Sequence, residues 1–159
     1  MTTPHLGHWP PTDPKYRRSE VTTLLGSGEE LWQRAAEGVL CWKVKTSSGF
    51  AVDSLPPVSP GARVNVTAHV FGLTVVEPVE VVSVVQETSR TGFSYRTLPG
   101  HPVDGEEAFI VHRYDDDVHL TIRSLTRAAS QQPWRLLFPI LLIAQRIVRR
   151  RYLRYGIHL

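Results

Sequence analysis

His101 is the residue of this chain whose neighbours best suit it to acid–base chemistry. Pro99-Gly100 before it and Pro102 after it fix a tight turn, and Glu106 and Glu107 follow closely. An imidazole titrates near neutrality, and a carboxylate beside it completes a proton-transfer pair. The same residues also make a purely structural turn, in which a carboxylate holds the backbone N–H groups of the loop. No Ser or Cys stands at a spacing recognisable as that of a nucleophile.

Three other groupings bear on function. If Asp115-Asp116 form a two-residue turn, His112 and His119 lie opposite each other across a hairpin. Two imidazoles can begin a zinc site, but no third or fourth ligand is evident. A solvated polar face beside an acidic turn is the simpler reading, and no metal is expected. Tyr95, Arg96, Thr97 and Arg123 fall on neighbouring strands, and a concave sheet would turn some of them into a pocket as orienting contacts. The residues expected to meet a ligand are Tyr95, Thr97, His101, Glu107 and Arg123.

The third grouping is electrostatic. Six arginines and no acidic residue lie between Pro133 and Leu159, so the net charge of +3 belongs to the C-terminus. Arg146, Arg149 and Arg150 suit a peripheral contact with anionic lipid or an acidic partner, or simply a solvated helix face. A nucleic-acid binder spreads its basic residues along a face and interleaves aromatic ones, and neither pattern is present. Nucleic acid is therefore not an expected partner. Gly26-x-Gly28 lacks the lysine and spacing of a phosphate loop, and no cofactor is expected.

The elements that must position these groups follow from periodicity. Ser27 and Glu30 have capping-box spacing, and Leu31, Ala35 and Val39 share one face, which predicts a helix from Ser27 to about Leu40. Trp42 through Gly49 suggests a short strand and turn, with a second short strand to Val52. Pro56, Pro57, Pro60 and Gly61 break the chain. From Ala62 the period becomes two. Strands are expected from Ala62, over Leu73–Gln86 after a Phe71-Gly72 turn, and over Thr91–Thr97. A hairpin joins Glu107–Tyr114 to Asp117–Thr126 and sets Phe109 against Ile122 and Val111 against Leu120. A helix capped by Ser130 is expected from about Gln132 to Tyr155, with Pro139 inside it. Leu137, Ile140, Leu141, Ala144, Val148, Tyr152 and Tyr155 form its apolar stripe, and Arg146, Arg149 and Arg150 point away from that stripe.

This order gives an α+β fold, an antiparallel curved sheet of about six or seven strands packed on a long C-terminal helix. The chain divides into an N-terminal arm, residues 1–15, and a single α+β domain, 16–159. The proline-rich, extended character of the arm continues to about residue 20. In element order the architecture resembles the helix-grip fold of Bet v 1 and START-like proteins, which hold apolar ligands between sheet and helix.

One stretch is more specific: Gly92-Phe93-Ser94-Tyr95-Arg96-Thr97-Leu98-Pro99-Gly100-His101-Pro102, then Gly105-Glu106-Glu107-Ala108-Phe109. With Gly26-x-Gly28, Trp42, and Gln145 ahead of Arg150-Arg151-Tyr152, it resembles uncharacterised protein family 0548, also called domain-of-unknown-function family nineteen-ninety. The resemblance covers about residues 16–155. It implies a relative without naming a reaction. Arg96 departs from it, since a glycine is expected between the tyrosine and the threonine.

Composition narrows the class further. The chain has 159 residues, 42% hydrophobic and 21% charged, in the range of ordinary globular proteins. Cys41 is the sole cysteine, so no internal disulfide forms. No signal peptide is read at the N-terminus, and the apolar run Leu136–Ala144 is about half of what a membrane-spanning helix needs. A reducing, cytoplasmic setting is the expectation. Three functional readings stand. The first is a non-enzymatic binding domain for an apolar or amphipathic small molecule, with its cavity between sheet and C-terminal helix. The second is an enzyme using the His101/Glu106/Glu107 turn. The third is a peripheral interaction protein using the arginine face.

Overall fold

The computed structural model describes the chain except residues 54–56 and Phe71. The break expected at Pro56 and the turn expected at Phe71-Gly72 thus lie partly outside the described residues. In chain order the elements are β1 (Arg17–Ser27), α1 (Glu29–Leu40), α2 (Lys43–Thr46), β2 (Ala51–Val52), β3 (Arg63–Val70), β4 (Leu73–Gln86), β5 (Arg90–Thr97), β6 (Val103–Tyr114), β7 (Asp117–Ala128) and α3 (Trp134–Tyr152). A 3-10 turn, Tyr155–His158, follows α3.

The strands form one antiparallel sheet in the order β1-β7-β6-β5-β4-β3-β2. Period-two patterning sets its register. Phe109 pairs with Ile122 and Val111 with Leu120, as the hairpin requires, and Asp115 supplies the positive φ of the tight turn. Irregularities at Leu24/Gly26 in β1 and Val81/Ser83 in β4 add local bends that curve the sheet. Gly105 and Gly92 permit close strand contact: a Cβ at either would collide with a backbone carbonyl, of Leu125 or Phe109 respectively.

The inner face of the sheet carries Val79, Val81, Phe93, Tyr95, Phe109, Val111, Leu120 and Ile122, packed on Trp32, Ala35 and Val39 of α1. Trp42 inserts between them, its ring centroid 4.7 Å from that of Phe93 and 5.6 Å from that of Tyr95. An array of offset and edge-to-face aromatic pairs of this kind adds about 0.5–1.5 kcal/mol per contact beyond area burial.

Four local expectations are corrected. Ser27 does not cap α1. It is the last residue of β1, paired with Asp117, while Gly28 at φ 103 makes the N-cap and its N–H bonds the Asp116 carbonyl. Strand pairing here outweighs the local capping box. Residues 17–20 belong to β1 rather than to an extended arm. Trp42–Gly49 holds the helical turn α2 rather than a strand, because Trp42 takes a left-handed conformation that turns the chain immediately after α1. Ser130 does not cap α3; the Gln132 side chain accepts the Leu136 N–H instead.

The N-terminal residues lie across the outer face of the sheet. Trp9 is buried, Thr2 donates to Glu106, and the Arg123 guanidinium donates to the carbonyls of Thr3 and Gly7 at 2.8 and 3.0 Å. Among the described residues no helix is long and apolar enough to cross a membrane.

Candidate functional site

α3 does not pack its apolar stripe tightly on the sheet. From Trp134 to Arg151 none of its residues is buried, and Tyr152 is the first that is. The stripe instead faces a cavity of about 340 Å3. Leu137, Leu141, Ala144 and Val148 line it from α3, and Ala68, Leu73 and Val75 line it from β3 and β4. Apolar walls enclosing that much space with a few convergent polar groups are the usual make-up of a small-molecule pocket.

The polar groups gather at one end. Lys45 extends inward from α2 and is almost wholly buried. Its Nζ lies 3.5 Å from Glu107 Oε2 and 3.9 Å from Glu77 Oε2. Four aromatic rings surround the ammonium, with Phe50 at 4.6 Å and Tyr95 and Tyr152 both at 5.3 Å, close enough for cation–π attraction. Phe109 is the fourth, at 6.0 Å. The Tyr95 hydroxyl donates to Glu107. Burial first, then the Glu107 carboxylate, holds the Tyr95 phenol well above its ordinary pKa, and the same two causes act on Tyr152. Both phenols therefore remain donors at neutral pH.

His101 completes the cluster. Its Nδ1 accepts the Val103 N–H at 3.1 Å, and its Nε2 faces Glu77 Oε2 at 3.9 Å. Burial, reinforced by the Lys45 ammonium, lowers its pKa to about 3, so the ring is neutral. Glu77 keeps about a fifth of its side-chain surface, facing the cavity it lines. Burial raises its pKa and Glu107 adds to the rise, while Lys45 opposes it.

Of the residues expected to meet a ligand, Tyr95, Thr97, His101 and Glu107 line the cavity. Thr97 also accepts the Gly105 N–H through its hydroxyl at 3.0 Å. Arg123 does not join them. It alternates with the inward Ile122, so its side chain crosses to the outer face and pairs with Glu20. Glu106 also borders the cavity beside His101 and Glu107, but the same alternation turns its carboxylate to the outer face, where it accepts from Thr2. Arg96 is exposed and pairs with Glu80, its cross-strand neighbour, away from the cavity.

Two site residues escape the sequence reading. Glu77 stands on the phase of β4 that carries Val75, Val79 and Val81, so its inward direction is readable from parity. Lys45 is placed by the backbone reversal at Trp42, for which no local pattern gives notice. Arg149 is also corrected: it lines the cavity and donates to the Ser124 hydroxyl at 3.3 Å, whereas Arg146 and Arg150 are exposed. His112 and His119 stack with centroids 5.4 Å apart, and His112 Nε2 meets the Thr121 hydroxyl at 2.8 Å. No group of three or more potential metal ligands occurs among the described residues.

Comparison with known proteins gives the same fold. The chain superposes on a hypothetical protein, jhp0584, from Helicobacter pylori with a TM-score of 0.61 at 15% identity, covering 98% of this chain and 96% of that one. It superposes on Ara h 8.0201, a Bet v 1-type allergen, with a TM-score of 0.55 at 11% identity, covering 91% and 99%. The fold is thus the Bet v 1-like helix grip. A UPF0548 protein from Deinococcus radiodurans is 32% identical over 142 residues, 82% of this chain and 71% of that relative. A family model matches residues 2–155, nearly the whole length, and by that match the chain belongs to the family described as Domain of unknown function (DUF1990).

Proposed function

We propose that this protein binds a small apolar or amphipathic molecule between its sheet and α3, without transforming it. The observation that carries this reading is the cavity of about 340 Å3 facing an apolar helix stripe that buries no residue before Tyr152. An apolar wall left facing water forgoes about 25 cal/mol per Å2, which a ligand's apolar surface recovers. Native mass spectrometry of the purified protein is expected to show a mass above that of the chain, or binding of the neutral fluorophore N-phenyl-1-naphthylamine if the site is vacated on purification. Ala144→Trp, which fills the cavity from α3, is expected to weaken fluorophore binding at least tenfold while the protein stays folded. A bare mass with no fluorophore binding, or full binding in the Trp variant, would refute the reading.

A second surface supports a second reading, contact with an anionic membrane. Leu136, Ile143 and Ile147 are 78%, 60% and 51% exposed along the outward side of α3, and Ile140, 63% exposed, stands at the rim between that side and the cavity. Arg135, Arg146, Arg150 and Arg151 are exposed on the same helix. An apolar stripe flanked by arginines is the pattern of an interfacial helix, each cation near an anionic surface contributing about 1 kcal/mol. Co-sedimentation with phosphatidylserine-containing vesicles is expected at low salt, with loss in 0.5 M salt (about a 4 Å screening length) and in Ile143→Asp. Retention in the supernatant at low salt would exclude the contact.

A further inference from the structure

The polar end of the cavity is short of hydrogen bonds in a specific way. Glu77 Oε2 stands 3.9 Å from both Lys45 Nζ and His101 Nε2, beyond the ~3.2 Å limit of a good N–H···O bond. His101 Nδ1 is occupied as an acceptor of the Val103 N–H, so the proton of the neutral ring resides on Nε2. The cluster therefore offers two donors, Lys45 and His101, and one acceptor, Glu77, all lining the same space and none within bonding distance of another. An oxygen atom about 2.8 Å from each of two atoms separated by 3.9 Å meets them at an angle of roughly 90°. That angle suits one bond accepted and one donated.

We infer that the bound molecule carries an uncharged hydroxyl, an alcohol or a phenol, that accepts from Lys45 or His101 and donates to Glu77. The inference rests on the pocket reading above and assigns its polar end. The alternatives satisfy fewer groups. A carboxylate head accepts from both donors but adds a third carboxyl, beside Glu77 and Glu107, to a site with one ammonium. An ammonium head donates to Glu77 but gives Lys45 and His101 no acceptor and stands beside a cation. A wholly apolar ligand gives Glu77 Oε2 and His101 Nε2 no hydrogen-bond partner and leaves Lys45 only its 3.5 Å pairing with Glu107, and each polar group so covered carries a penalty of its own.

The test holds the apolar body constant and varies the head. Naphthalene, 2-naphthol, 2-naphthoate and 2-naphthylmethylamine are titrated against the wild-type protein at pH 7. 2-Naphthol is expected to bind at least tenfold more tightly than the other three. In Glu77→Leu the preference for 2-naphthol over naphthalene is expected to vanish while naphthalene itself still binds. Glu77→Gln keeps an acceptor carbonyl and is expected to retain part of the preference. If naphthalene binds as well as 2-naphthol, or if naphthoate or the amine binds most tightly, the hydroxyl assignment is wrong and the pocket stands. If a Glu77→Leu protein that remains folded keeps the full preference, the assignment is also wrong. If none of the four binds, the pocket reading fails with it.

Discussion

Lys45→Met is expected to destabilise the protein by about 3–5 kcal/mol at pH 7, the usual cost of removing one partner from a buried ionic group. Methionine fits the apolar path of the lysine stem, so the loss is electrostatic rather than one of volume. Glu77 and Glu107, 3.9 and 3.5 Å from the ammonium, are left facing each other without a counter-charge. Two features separate this cause from general damage to the core. The penalty should shrink as pH falls toward 4, because burial raises the Glu77 carboxyl and favours its neutral form. It should also shrink when Glu77→Gln and Glu107→Gln are added. Urea unfolding of the single and triple variants at pH 7 and pH 4.5 measures both, and a penalty unchanged in all four cases would locate the role of Lys45 in packing.

Acid is expected to destabilise the wild-type protein well above the carboxylate range, with His101 as a principal cause. Its pKa is 6.5 in an unfolded chain and about 3 here, where burial and Lys45 disfavour the imidazolium. A depressed histidine contributes its full stability above pH 6.5 and loses it as pH falls from 6.5 toward 3, because the unfolded chain takes up the proton first. At 1.36 kcal/mol per pH unit the loss is on the order of 3 kcal/mol by pH 4. Half-buried His112, lowered to about 4 chiefly by burial and then by Arg90, acts in the same direction. Glu77 acts oppositely. Its raised carboxyl contributes most at low pH and loses that contribution as pH rises through its folded pKa. In His101→Asn the amide oxygen can replace Nδ1 as acceptor of the Val103 N–H, so the turn is kept and the titration removed. Its stability is expected to fall less steeply than wild type between pH 6.5 and 4; parallel slopes would show that His101 titrates normally.

The parts of this fold that are legible in the sequence are those decided by neighbours. The β6–β7 hairpin is readable because an Asp-Asp turn and two runs of period two agree on one register. That register already directs Arg123 outward, since Ile122 faces Phe109 on the inside, and grouping Arg123 with Tyr95 and Glu107 neglects it. β1 is harder to read because Arg17–Glu20 is polar and the strand lies at the sheet edge, where alternation is weak. The capping box at Ser27 is a sound local signal that strand pairing overrides. Lys45 is the residue furthest from legibility. Its position depends on Trp42 reversing the chain and on four rings from α2–β2, β5, β6 and α3 meeting around one ammonium. No short window of sequence contains that information.

α3 is held unevenly along its length. Near its C-terminal end Arg149 bonds Ser124 and Tyr152 is buried against Phe109. Just beyond it the Tyr155 hydroxyl reaches the Ala35 carbonyl of α1. Toward Trp134 no side chain of the helix is buried, and the Gly100 N–H donates to Gln131 in the preceding loop through an exposed hydrogen bond. Mechanically the helix is a beam clamped at one end. The Trp134 end contributes no side chain to the core cluster, so on the pocket reading proposed above the work of admitting a guest would be bending rather than unfolding. The clamp itself sits next to Lys45 and Glu107, so on the same reading the polar end of the cavity lies where the helix is held.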